Sequence, residues 1–254
     1  MPDEPREPIL SGDALARYSR DGYLCFRKNL FTPAQLDTLD SIFEEHRYAD
    51  PQRQGDEFDT PHFSDPRLFE YLLAPHVLDL VESIIGPDII LWSSHFLCKD
   101  PRVGRATPWH SDSAYWHGRL DSYDKIVTIW LAVDDVDAGN GCMQVIPGSH
   151  LTAPGFEAYV PVDGARHSFA DALASVDPAQ ARSLELRRGE CSLHDGRIVH
   201  GADPNTSDRR RLGYTMRYLA ASVTVNPQRN AGHRLWLARG RSLAPNKLEM
   251  VLPR

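Results

Sequence analysis

A mainly β fold with flanking α-helices is the class that this 254-residue sequence predicts. Helix-periodic segments come first, and short strand-like runs bounded by turn residues follow. No internal repeat and no linker interrupts them. Together these describe an N-terminal helical layer supporting a β-sandwich or barrel, in one domain spanning 1–254.

Taken in order, residues 1–10 are charged and Pro-rich and are expected to be disordered. Ser11 or Asp13 then offers an N-cap for a short amphipathic helix reaching Arg20. Asp21-Gly22 is a turn signal, and Tyr23–Phe26 reads as a strand. Thr32 followed by Pro33 starts a helix whose apolar positions Leu36, Leu39, Ile42 and Phe43 keep a helical period. From Tyr48 to Phe63 polarity without periodicity reads as loop. Pro75 to Ile85 reads as helix, with Gly86 at its stop and Pro87 beyond.

Ile89–Cys98 is strand-like, and 99–105 breaks it. Ile126–Val133 is the most apolar β-rich run in the chain. The turn residues Asp137–Gly141 make Cys142–Ile146 its expected hairpin partner. Periodicity weakens over 151–188, as suits an insertion or lid over a pocket. Gly189–His194 and Leu212–Leu219 are two further strands.

A 41% hydrophobic fraction supports a sizeable core, and a net charge of −7 excludes a general pull toward nucleic acid or anionic membrane. No apolar run approaches the ~20 residues of a membrane span. The N-terminus lacks the apolar segment of a signal peptide. Cys25, Cys98, Cys142 and Cys191 form no Cys-x-x-Cys pair and read as free thiols. The expectation is a cytoplasmic protein with a small-molecule substrate.

The chemistry concentrates around Thr107–Trp116. On a strand, residues two apart face the same way, so His110 and Asp112 can reach one metal ion. His-x-Asp alone is a common surface pattern. A third ligand has to come from elsewhere, and His200 is the best candidate. Two imidazoles and one carboxylate, with positions left open, suit a non-haem Fe(II) oxygenase. The run Arg209-Arg210-Arg211 could be a solvated turn. Alternatively, one guanidinium turns back to grip the carboxylate of a dicarboxylate co-substrate with its two-donor fork.

Three spaced segments carry a family resemblance: Pro108–Asp112, Trp130 through Asn140 to His150, and His200-Gly201 through Pro204-Asn205 to Arg211. Together they resemble the phytanoyl-CoA dioxygenase family of Fe(II)- and 2-oxoglutarate-dependent oxygenases. The stretch Trp109–His117 is similar to the ectoine hydroxylase branch. The resemblance implies a double-stranded β-helix (jelly-roll, cupin-like) core, with Fe(II) at His110, Asp112 and His200. It also implies 2-oxoglutarate and O2 as co-substrates, with the far carboxylate of 2-oxoglutarate on Arg211 rather than Arg209 or Arg210. Lys99 and Trp130 align with residues near the co-substrate. Ala202 departs from the family, whose members often carry Ser there. In related halogenases a small residue replaces the carboxylate ligand, so Asp112 favours hydroxylation or another oxidation. The implied activity is hydroxylation of an unactivated C–H, with release of succinate and CO2.

Candidate substrate contacts are Tyr115, Trp116 and His117 after the ligands, Ser93 and His95 on the strand leading in, and Arg217 beyond Arg211. Trp92 is assigned to the core. His62, His76, His150, His167, His194 and His233 lack ligand-like spacing and receive no role. Two other classes compete: a cupin-like metalloenzyme not using 2-oxoglutarate, and a non-catalytic binding protein of the same fold.

Overall fold

The computed structural model describes residues 9–152, 154–163 and 170–250. The Ser11 hydroxyl accepts the Ala14 N–H and starts α1 (Gly12–Asp21); Gly22, at φ 80°, ends it. After β1 (Tyr23–Phe26) comes α2 (Pro33–Ala49). There Thr32 and Gln35 form a reciprocal capping box, and the predicted apolar stripe is buried. The presumed loop that follows contains β2 (Phe58–Asp59) and a 3-10 turn, and α3 (Phe69–Leu72) comes soon after. Then come α4 (Pro75–Ile85), β3 (Ile89–Lys99), β4 (Thr107–His110) and α5 (Asp112–Tyr115). The rest is strand and turn: β5 (Ile126–Ala132), β6 (Met143–Val145), β7 (Tyr159–Pro161), β8 (Asp171–Leu173), β9 (Arg182–Ser183), β10 (Cys191–Asp195), β11 (His200–Ala202), β12 (Arg211–Ala220) and β13 (Trp236–Arg239).

Among the described residues two larger antiparallel sheets result, beside a two-stranded β7-β8 sheet. The major sheet runs β1-β10-β5-β12-β3-β13, with β2 also on β3, and the minor sheet runs β4-β11-β6-β9. The predicted mainly β class with flanking helices holds.

Alternation along the major sheet separates core from site. Val127, Ile129 and Leu131 of β5, Leu193 of β10, and Leu212, Tyr214 and Met216 of β12 join one hydrophobic cluster with Leu39, Ile42 and Phe43 of α2 and Leu80 and Val81 of α4. The alternate residues, Thr128 and Trp130, His194, and Thr215 and Arg217, turn to the other face. The helical layer therefore covers one face and leaves the other to line a cavity. At Arg217/Tyr218 the register slips, so Ser93 pairs with Arg217 and Leu91 with Tyr218. Trp92 is the extra residue of that bulge.

The expected hairpin between Ile126–Val133 and Cys142–Ile146 does not form. β5 lies in the major sheet and β6 in the minor one. Asp137 and Asn140 cap a tight 3-10 turn, and Gly141, at φ 78°, redirects the chain between the sheets. A Cβ at Gly141 would lie 2.4 Å from the Asp203 carbonyl. The turn residues fix that the chain bends, but not which strand it joins.

The weakly periodic 151–188 region contains β7, β8 and β9; residues 153 and 164–169 fall outside the described set. Tyr159 of β7 accepts the Ser111 N–H at 2.8 Å, and Tyr115 donates to the Asp171 carbonyl of β8 at 2.7 Å. This segment is thus tied to the turn carrying Asp112. The expected disorder of residues 1–10 falls mostly outside the described residues, although Leu10 is buried. All four cysteines are free. Among the described residues no helix is long and apolar enough to cross a membrane.

Candidate metal centre

His110 and His200 face one another across the β4–β11 ladder as register partners. Asp112 follows two residues after His110. The strand ends at His110, however, and Asp112 opens the single turn of α5 rather than continuing the strand. Extended Ser111 (φ −113°, ψ 140°) carries the chain between them, so the carboxylate arrives by a change of backbone direction. Asp112 Oδ1 lies 3.6 Å from His110 Nε2 and 4.0 Å from His200 Nε2. One donor atom from each residue fits within 4.8 Å, and all three side chains are buried.

Both imidazoles are oriented by backbone carbonyls. His110 Nδ1 is 2.7 Å from the Pro108 carbonyl, and His200 Nδ1 is 3.0 Å from the Ile198 carbonyl. A carbonyl only accepts, so each Nδ1 carries the proton and each Nε2 turns its lone pair toward Asp112. Burial and then His110 push His200 well below the ordinary imidazole value, which keeps it neutral. Burial would raise the Asp112 carboxyl, but the adjacent Arg217 guanidinium holds it well below the usual carboxylate range. The Arg217 Nε–H donates to Asp112 Oδ2 at 3.4 Å. The donor set of two imidazoles and a carboxylate fits a divalent iron-type ion with open positions.

Beside this triad lies a pair of buried cations. Lys99 and Arg211 are register partners on β3 and β12, 2% and 4% exposed. Neither has a carboxylate partner among the described residues. Lys99 Nζ donates only to the Ala202 and Asp203 carbonyls, at 3.2 and 2.6 Å. Arg211 makes one long bond to the Leu97 carbonyl at 3.4 Å, and its Nε has no acceptor. Its guanidinium lies 5.3 Å from the Trp130 ring centre. Burial lowers both groups, Lys99 well below the ordinary ammonium value and Arg211 to about 10. Buried positive charge without a counter-charge is costly unless a ligand supplies one. The neighbouring arginines differ: Arg210 is held by Asp134, Asp40 and Glu44, and Arg209 by Asp137. Gly213, diagonal to Trp130 across the β12–β5 pair, leaves room for the indole, since a Cβ there would meet the ring at 2.0 Å.

A second cavity, of about 330 Å³, adjoins the first across Asp112 and Arg217. Ser93, His95, Tyr115 and Trp116 of the predicted set line it, and so does Trp92, which is at once core and wall. His117 lies outside both cavities and is exposed, because the turn after α5 points it outward.

Several lining residues went unread in the sequence. His194, given no role, lines the triad cavity with its ring 5.1 Å from His200 and its Nδ1 without a partner. His233 and Arg119 line the second cavity. His167 falls outside the described residues.

A family model for phytanoyl-CoA dioxygenase (PhyH) matches residues 18–213. The chain belongs to the phytanoyl-CoA dioxygenase family. Among phytanoyl-CoA dioxygenase relatives, the peroxisomal enzyme of Mus musculus is 26% identical over 201 residues, covering 78% of this chain and 59% of that one. The chain spans about 60% of the length of the curated relatives it matches. The non-heme monooxygenase ThoJ superposes with a TM-score of 0.75 at 25% identity, over 93% of this chain and 89% of that one. EctD from S. alaskensis, solved with 2-oxoglutarate and 5-hydroxyectoine, shares the fold at a TM-score of 0.69 and 18% identity, over 98% and 92%. The predicted cupin-like core agrees with these likenesses.

The buried imidazoles of this phytanoyl-CoA dioxygenase family member give stability a defined pH dependence. Burial lowers His62 to about 3, and His95 and His194 to about 4. Below pH 6.5 the unfolded chain takes up these protons and the folded one does not. Their contribution is complete above pH 6.5 and is lost as pH falls toward 4. Each residue approaches about 1.4 kcal/mol per pH unit within that window. The urea midpoint of the metal-free protein should therefore drop clearly from pH 7 to pH 5. A flat midpoint would show that these rings protonate without unfolding.

Proposed function

We propose that the chain is a non-haem Fe(II)- and 2-oxoglutarate-dependent dioxygenase. It hydroxylates, or otherwise oxidises, an unactivated C–H of a small molecule. The observation that carries this reading is the juxtaposition of an open three-ligand triad with two buried cations that lack carboxylate partners. In this reading His110, Asp112 and His200 hold the iron. Arg211 receives the far carboxylate of 2-oxoglutarate, Lys99 adds a second positive charge, and Trp130 forms the wall beneath Arg211. The dicarboxylate brings the counter-charge that the cavity lacks. Bound iron supplies the oxidation chemistry: O2 and 2-oxoglutarate give succinate and CO2, with one oxygen atom entering succinate and the other available to the substrate.

The protein's own residues orient and exclude. The Pro108 and Ile198 carbonyls fix the two imidazoles, Arg217 steadies the carboxylate, and the burial of all three ligands keeps bulk water away. Ala202 contributes only its carbonyl, to Lys99. We assign the whole of 1–254 to one domain with neither nucleic-acid nor membrane partners. We place it in the cytoplasm, a reading supported by four unbridged thiols.

The test is anaerobic titration of Fe(II) and 2-oxoglutarate into the protein. The expected result is a visible charge-transfer band that requires both, followed by succinate release on admission of O2. Iron binding without that band would instead favour a metalloenzyme that ignores 2-oxoglutarate. A band without turnover in the presence of every tested substrate would favour a binding protein.

A further inference from the structure

The second cavity contains a cation that the reading above does not use. Arg119 follows α5 and lines the cavity. Its Nε–H donates to Asn230 Oδ1 at 2.6 Å, and its guanidinium rests 4.9 Å from the Trp92 ring centre. Asn230 is itself anchored, donating from Nδ2 to the Arg119 and Asn226 carbonyls at 2.8 Å each. The fork is thus locked at its base and supported on one face. Its two terminal nitrogens have no protein acceptor among the described residues, and Arg119 makes no ion pair.

The other charges at this cavity are committed. Asp56 and Glu57 both bind Arg105, at 2.5 and 2.9 Å, and Asp112 faces Arg217 and the two histidines. Asp59 is 63% exposed and lies 3.8 Å from His95. What remains is one preorganised, half-buried guanidinium that feels Asp59 across the cavity but forms no ion pair among the described residues. Like Arg211, Arg119 lays its guanidinium on an indole and makes no ion pair among the described residues, although the bonded nitrogen is Nε in Arg119 and a terminal one in Arg211.

We propose that the cavity beyond Asp112 binds the primary substrate through a carboxylate held by the terminal nitrogens of Arg119, with the carbon skeleton against Trp92 and Trp116. A single fork with no second free cation matches one negative charge in a plane. A phosphate, with its higher charge, would meet four acidic side chains around the same cavity, Asp56, Glu57, Asp59 and Asp112. A volume of about 330 Å³ suits a small organic acid. Asp112 lines both cavities, so an acid anchored at Arg119 lies beside the metal ligands with its far end free to approach the iron. Arg119 binds substrate; Asn230 is a positioning residue that acts through it.

This inference rests on the oxygenase reading, and the experiment keeps their failures apart. Wild-type protein is first scored for the anaerobic iron–2-oxoglutarate band, whose absence removes the oxygenase reading and this inference with it. With the band present, small aromatic and alicyclic monocarboxylic acids, 3-phenylpropanoic acid among them, are compared with their primary amides as stimulators of succinate release. Acids should stimulate and amides should not. For the best acid, Arg119→Gln should raise KM about 10- to 100-fold, the loss expected for one charge-assisted pair, with a smaller change in kcat. Arg119→Lys should recover part of that loss, and Asn230→Ala should raise KM without abolishing stimulation. Thermal melting checks that each variant is folded; should Arg119→Gln fail to fold, the acid–amide comparison on wild type decides alone. Equal stimulation by amides, stimulation by no acid, or an unchanged KM in a folded Arg119→Gln protein would each overturn the proposal.

Discussion

Asp112→Ala is expected to abolish iron-dependent succinate formation while leaving the protein folded. Asp112 is the only carboxylate among the three converging candidate ligands, and it is buried between two imidazoles and a guanidinium. Removing it leaves two neutral nitrogens, which compete poorly for a divalent ion against water. Outer partners of metal ligands typically contribute 10- to 100-fold in affinity, so losing a ligand itself should exceed about 100-fold. The change also strips Arg217, whose side chain is 11% exposed, of its carboxylate partner, so some stability is lost and thermal melting checks that the variant is folded. Asp112→Asn keeps the shape and one neutral oxygen, and it should retain weak iron binding with little turnover. Iron content after desalting, together with succinate release, separates the three proteins. Wild-type iron retention in a folded Asp112→Ala protein would remove this residue from the ligand set.

The sequence made the triad legible because its informative residues are either close together or set in a spaced motif. His110 and Asp112 need only one extended residue between them, and His200 is found through the segment it heads. What lay beyond reach depends on pairing between distant strands. His194 looks like any buried histidine until the β10–β5 register places it opposite Thr128, on the cavity face. Arg119 reads as a surface arginine in a turn, and its role emerges only from Trp92 and Asn230, 27 residues before it and 111 after it. The β5–β6 hairpin was misread for the same reason: local turn chemistry states that a chain reverses, while sheet membership is decided by which faces can be buried. The strand assumed to carry both ligands failed more gently. The three side chains converge, but through the start of a helical turn.

Arg211 should show the opposite balance of stability and function from an ordinary buried residue. It is 4% exposed, it has no carboxylate partner among the described residues, and burial lowers it to about 10. A side chain held in that state costs folding free energy when no anion is present. Arg211→Met, which keeps most of the stem against Trp130, should therefore leave the melting temperature of the ligand-free protein unchanged or higher. Its effect on co-substrate binding should be large. Two charge-assisted hydrogen bonds to a carboxylate, at about 1.5–3 kcal/mol each, correspond to at least about a 100-fold rise in the dissociation constant for 2-oxoglutarate. Arg211→Lys keeps the charge but loses the planar fork, so it should fall between wild type and Arg211→Met. Ligand-induced stabilisation reads this directly. Saturation at 100 times the dissociation constant stabilises wild type by about 2.7 kcal/mol, and the same concentration should shift the Met variant by a few tenths at most. A variant that melts lower when ligand-free yet keeps its full shift with 2-oxoglutarate would make Arg211 a structural cation, and the co-substrate carboxylate would have to be held by Lys99 instead.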